Sequence, residues 1–231
     1  MLLSLLQSGA SLRDILIELI LVIPTVLISL TFHEVAHGYI SFKQGDPTAY
    51  NLGRLSLNPL KHLDPIGSIC MLLVGVGWAK PVPVNARYYK NPKRGMALTA
   101  LAGPAVNLIL AFFGELIVTV VIGISLRAGV SVDNHWIEVI STFFYYFSQM
   151  NVFLAVFNLL PIPPFDGSRI AFVFLPTRFY FKVMQYERII QYVVLLLLWM
   201  GILTTPLRVV SRWILDGMFE LVWLLIGWVI P

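Results

Sequence analysis

Two histidines four positions apart, His33 and His37, enclose a glutamate, Glu34, in the run T-F-H-E-V-A-H-G-Y. On a helix, residues four apart share one face a turn apart, so both imidazoles can reach a single ion. Glu34 projects to the side, where its carboxylate can meet a water at that ion. Two ligands and a base from one turn is the division of labour of the H-E-x-x-H motif. The chemistry implied is metal-assisted hydrolysis. The alternative is that these residues decorate a helix end by chance. Their setting disfavours it, because all three fall within or at the edge of an apolar run, where ionisable groups are expensive and mark function.

Catalytic zinc takes three protein ligands and leaves a position open. Of the other histidines, His135 falls in a loop assigned below to the opposite side of the membrane, and His62 lies in a polar connector that suits a surface role. Asp166 is the better third ligand. It follows an apolar segment in F-N-L-L-P-I-P-P-F-D-G, where prolines stop the helix and Gly167 permits a tight backbone path. The competing reading of Asp166 is a helix-end or loop carboxylate in water. The single cysteine, Cys70, rules out an internal disulfide and a zinc site built on thiolates, and is expected to be a small buried hydrophobe.

The elements that must position these residues are membrane helices. Of the 231 residues, 58% are apolar and 12% charged, about half the charged fraction of a soluble domain, and the mean hydropathy is +0.82. Apolar run length predicts five spanning helices, at about 15–40, 97–126, 139–160, 186–204 and 213–230. The first is expected to be retained rather than cleaved as a signal, since Asp14 offsets Arg13 and no net basic region precedes it. A sixth stretch, I-G-S-I-C-M-L-L-V-G-V-G-W-A at 66–79, is short, glycine-rich and followed by K-P-V-P-V-N. It suits a re-entrant loop or short hairpin shielded by neighbouring helices. The fold class expected is therefore an all-α polytopic membrane protein of five to six helices, with a re-entrant or β-hairpin segment near 66–90. A single domain is expected, with a core at about 15–170 and C-terminal helices at about 186–230, and no added soluble domain is expected.

Charge assigns the sides. Region 41–95 carries Lys43, Arg54, Lys61, Lys80, Arg87, Lys90, Lys93 and Arg94 against Asp46 and Asp64, whereas 127–138 has Arg127 against Asp133 and Glu138. The first is read as cytoplasmic and the second is not. The loop at 161–185 then returns to the cytoplasm. If 66–79 does not cross, Asp166 and His37 reach the same side; if it crosses, they end on opposite faces. Arg208 and Arg212, in a connector expected outside, run against this scheme. The net charge of +4 follows membrane topology, and nucleic acid is not expected as a partner.

Four segments resemble the site-2 protease family of intramembrane metalloproteases, particularly its short prokaryotic members. H-E-V-A-H-G at 33–38 resembles the metal motif, G-W-A-K-P-V-P-V-N at 77–85 the membrane-associated hairpin, A-G-P-A-V-N at 102–107 the small-residue motif, and N-L-L-P-I-P-P-F-D-G at 158–167 the segment bearing the third ligand. They occur in the family's order and span roughly 20–170. The resemblance implies that His33, His37 and Asp166 bind one zinc ion and that Glu34 is the catalytic base. Asn158 and Pro161 match positions that help hold a substrate's unwound backbone, and Asn107 matches an asparagine near the active site. Phe165 stands where the family commonly has leucine. Asn107 could equally be interhelical hydrogen-bond glue, and Glu115 either a proton-path group or a bundle-facing carboxylate with a partner.

The activity implied is hydrolysis of peptide bonds within or near transmembrane segments. The partners implied are a transmembrane protein substrate and the bilayer, with a homo-oligomer admitted. The location implied is the cell membrane, with the active site toward the cytoplasm. Two other classes compete: a divalent-metal transporter, which leaves Glu34 without a role, and a non-catalytic membrane binding module, which leaves the full residue set without one.

Overall fold

The computed structural model describes residues 9, 11–74, 78–131 and 134–229. Helix α1, Leu12–Lys43, carries the histidine pair. Ser11 and Asp14 start it with a reciprocal capping box: the Asp14 amide donates to Ser11 Oγ and the Ser11 amide to Asp14 Oδ2, both at 3.2 Å. Pro24 lies inside the helix, and nearby Thr25 and Ser29 turn their hydroxyls back onto the carbonyls of Leu21 and Thr25. A polar side chain in a bilayer helix satisfies itself in this way. At 1.5 Å per residue, 32 residues reach about 48 Å, more than the ~30 Å hydrocarbon core requires. Gly45, with φ of 99°, turns the chain after α1.

Backbone contacts divide the chain into two units, Met1–Gly95 and Met96–Pro231. In the first, α1 is followed by α2 (Thr48–Asn51), a 3-10 turn at Pro59–Lys61 and α3 (Pro65–Val74). Helix α3 falls in the segment expected to be re-entrant or a β-hairpin. Its ten residues reach about 15 Å, half of a hydrocarbon core. An antiparallel bridge joins Leu63 to Ala79, and the Lys80 amide donates to the His62 carbonyl at 2.8 Å, so the chain leaves and returns at one place. Gly67 makes the return fit: a Cβ there would stand 2.2 Å from the Trp78 carbonyl oxygen. Among the described residues the segment thus holds a helix and one isolated bridge and no strand, which does not make a β-hairpin; residues 75–77 lie outside the described residues. Cys70, expected to be buried, is half-buried on α3.

Helix α4, Pro92–Arg127, begins with proline at a position where the missing N–H costs nothing and continues through the second unit. There it packs on α5, His135–Asn158, whose N-cap Asn134 accepts from the Trp136 amide at 3.0 Å. The approach is close: a Cβ on Gly114 would stand 2.2 Å from Ser148 Oγ, and that hydroxyl donates to the Ala111 and Phe144 carbonyls at 3.0 Å. Small residues permit such contact where no hydrophobic force drives helices together. After α5 come α6 (Asp166–Ala171), α7 (Thr177–Met184), α8 (Glu187–Trp199) and α9 (Thr204–Ile226), the last packed on α5.

By length and composition, three helices among the described residues can cross a membrane: α1, α4 and α5. Helices α8 and α9 meet at a 78° bend and supply a fourth span if the pair is taken as one. The sequence predicted separate spans at 186–204 and 213–230. The difference arises because α8 stops at Trp199 and α9 starts at Thr204, so Arg208 and Arg212 lie in a helix with Asp216 and Glu220 rather than in a connector.

Candidate metal centre

In the first unit, the C-terminal part of α1 presents His33 and His37, both buried. Their Nε2 atoms are 3.0 Å apart and their rings meet edge to face, with centroids 4.6 Å apart and planes at 87°. Two nitrogens each about 2.0–2.1 Å from a tetrahedral zinc ion lie roughly 3.3 Å apart. The convergence of both Nε2 atoms therefore fits one shared ion with little adjustment, and the imidazole donors suit zinc.

Glu34 is anchored from far along the sequence. The Val82 amide, in the K-P-V-P-V-N segment, donates to Glu34 Oε2 at 2.7 Å. Gly38, one residue past the motif, lets that segment lie against α1: a Cβ there would stand 2.6 Å from Leu55 Cδ2 and 3.0 Å from Val82 Cγ1. The same segment is pinned further on by Asp46, which is fully buried. Asp46 Oδ2 accepts from the Asn85 amide at 2.6 Å and from Ser41 Oγ at 2.7 Å, while Oδ1 accepts from the Thr48 amide at 3.0 Å and from the Thr48 hydroxyl. Ser41 Oγ also pairs with Tyr89 OH at 2.7 Å. Burial works to raise the Asp46 carboxyl, but the hydrogen bonds from Thr48, Asn85 and Ser41 together hold it below its ordinary value.

Neither Val82 nor Asp46 was a site residue in the sequence reading. Asp46 appeared there only as a loop charge, and Val82 acts through its backbone, which carries no side-chain signal. His62, expected at the surface, is buried, with Nε2 against the Ser56 carbonyl at 2.7 Å. It helps close the base of the α3 segment.

In the second unit, α5 ends at Asn158 as the prolines require, and the Asn158 side-chain amide donates back to the Leu154 carbonyl at 2.9 Å. Pro161 is exposed. Asp166 opens α6, and Gly167 holds it close to the end of α5, since a Cβ at 167 would stand 2.2 Å from the Leu159 carbonyl oxygen. Phe165, the departure from the family's leucine, packs on Phe157 with ring centroids 4.3 Å apart. Asn107 is buried and donates Nδ2–H to Asn151 Oδ1 at 2.7 Å, joining α4 to α5. Glu115 is buried in α4.

A histidine pair and an adjacent carboxylate on one turn of an apolar helix of spanning length define a metallohydrolase type of motif within a membrane protein. The chain belongs to peptidase family M50, the site-2 protease family, whose model matches residues 21–201. It is similar to several proteins named "Putative zinc metalloprotease". One is YwhC of Bacillus subtilis, 44% identical over 165 residues that make up 71% of this chain and 73% of that protein. Another is Rip2 of Mycolicibacterium smegmatis, 33% identical over 156 residues, or 64% of this chain and 54% of that protein. A third is MJ0611 of Methanocaldococcus jannaschii, 30% identical over 140 residues, or 60% and 62% of the two chains. The chain thus spans about half the length of Rip2. No solved structure gives a significant match. The apolar helices and the family together make this an integral membrane protein.

Proposed function

We propose that this protein is an intramembrane zinc metalloprotease that cleaves peptide bonds within or near the transmembrane segments of other membrane proteins. The observation that carries the reading is the convergence of two buried imidazoles beside an anchored glutamate on one turn of a membrane helix. His33, His37 and Asp166 hold the metal, and Glu34 is the base. Two neutral imidazoles and one carboxylate are a common catalytic zinc set. The rigid seat of Asp166, between Phe165 and the close-packed Gly167, suits a ligand.

A zinc ion held by these three residues would supply a Lewis acid and lower the pKa of a bound water toward neutral. Glu34 takes the proton of the attacking water and returns it to the leaving amide nitrogen. The Val82 amide holds Oε2, which fixes the carboxylate's orientation and leaves Oε1 to carry the proton. A substrate helix hides its carbonyls in its own hydrogen bonds, so it must unwind locally before cleavage, and Asn158 and Pro161 lie in the segment that receives the unwound backbone. Glycines or other weak helix formers near the cut site are therefore expected. On this reading the segment at 66–79, of which residues 75–77 lie outside the described residues, does not cross, so α4 runs out and α5 back and the site faces the cytoplasmic side of the cell membrane.

The test is co-reconstitution with candidate single-span substrates, measuring cleavage and bound zinc together. Wild type should cleave and bind one zinc per chain. Glu34→Gln should retain zinc and lose cleavage; Asp166→Ala should lose both. Full cleavage by Glu34→Gln would remove the assigned base, and full zinc binding by Asp166→Ala would remove the third ligand. Metal uptake into sealed vesicles without cleavage would point instead to transport.

A further inference from the structure

Helix α9 carries charge in an order that works against a lone helix. Arg208, Arg212, Asp216 and Glu220 follow at four-residue intervals, and all four are exposed. Residues four apart are neighbours on a helix surface, so Arg208 meets Arg212 and Asp216 meets Glu220, two like-charge pairs that destabilise. The one opposite pair, Arg212 with Asp216, has the weaker orientation, base before acid. A stripe serving only as a solvated face has no need of this block order, since alternating signs would support the helix.

The same order is self-complementary when read backwards. Laid antiparallel on a second α9 with the dyad at Ile214, Arg208 faces Glu220 and Arg212 faces Asp216, giving four opposite pairs and no like pair. A parallel copy would oppose Arg to Arg and Asp to Asp. In a membrane, two copies of a chain share orientation, so antiparallel helices can meet about a dyad along the bilayer normal only if they lie in the membrane plane. A 78° bend between α8 and α9 lets one of the pair stand upright while the other lies in-plane, and four exposed charges would make a spanning α9 costly. We infer that the charged stripe of α9 is a homodimer interface, in which α9 lies at the membrane surface and pairs antiparallel with α9 of a second copy. This inference does not rest on the proteolytic reading.

The test uses the full chain, purified and placed in nanodiscs large enough for two copies, with mass measured against concentration. Wild type should dimerise. Arg208→Glu with Arg212→Glu makes the stripe wholly acidic, and Asp216→Arg with Glu220→Arg makes it wholly basic; each should weaken dimerisation about tenfold or more. All four changes together restore complementarity and should restore the dimer, which separates lost pairing from lost folding. Mixing the acidic and basic variants should yield the heterodimer. Oxidation of a mixture of Arg208→Cys and Glu220→Cys chains should link 208 to 220. A monomeric wild type, two-site variants that dimerise as well as wild type, or preferential linkage of 208 to 208 would each overturn the inference.

Discussion

His33 and His37 bring their Nε2 atoms to 3.0 Å with ring planes at 87°, so two ring nitrogens from one helix turn converge on one place. Two imidazoles that close can share one cation, which each then holds more tightly than either would alone. Replacing either with alanine should abolish stoichiometric zinc binding by the purified protein, measured by elemental analysis. Chelation of wild type should stop cleavage, and added zinc should restore it.

Glu34 should separate from the ligands in behaviour. Loss of a positioned general base costs about 10²–10⁴ in rate. Glu34→Gln should therefore lower kcat by that factor with zinc content at the wild-type level. A parallel fall in both would assign Glu34 to metal binding instead.

Gly38 and Gly167 are close-approach positions of different severity. An alanine Cβ at 38 meets the ends of two side chains, Leu55 and Val82, which can shift, so Gly38→Ala should cost about 1–3 kcal/mol in detergent unfolding. Because Val82 anchors Glu34, kcat should fall while zinc stays bound. At 167 the Cβ meets the backbone of Leu159 and Leu160, which cannot yield cheaply. Gly167→Ala should displace Asp166 and lower zinc affinity.

Asp46 supplies a pH dependence with a definite sign. Its folded pKa lies below the unfolded value, so its contribution to stability is fully present above the ordinary carboxylate range and is lost as pH falls through the folded pKa. Melting temperature should decline on acidification in wild type. Asp46→Asn, which removes the carboxylate, should be less stable at neutral pH and show a flatter acid limb. An unchanged slope in the variant would assign the acid sensitivity to other groups.

Asn107 gives a test between two roles that its sequence position left open. Its buried hydrogen bond to Asn151 joins α4 to α5, and interhelical bonds of this kind contribute about 0.6–2 kcal/mol. Asn107→Ala should lower stability by that order while leaving kcat per folded molecule nearly unchanged. A large fall in kcat at normal stability would place Asn107 in substrate handling.

The sequence by itself determined what is local. The histidine pair follows from helix periodicity, the membrane setting from apolar run length, and the end of α5 at Asn158 from the prolines that follow it, because each rests on interactions within a few residues. Tertiary structure decided what depends on distant chain meeting chain. Val82 reaches Glu34 across 48 positions and Asn85 reaches Asp46 across 39, through backbone amides that no side-chain pattern announces. Asn107 and Asn151 are 44 apart, so either alone reads as an isolated polar residue in an apolar helix. The start of α9 at Thr204 was hidden for a different reason. Charged residues lower hydropathy and so end a predicted span, yet they do not stop a helix, since charge pairs four apart shift its stability by only about 0.2–0.5 kcal/mol each.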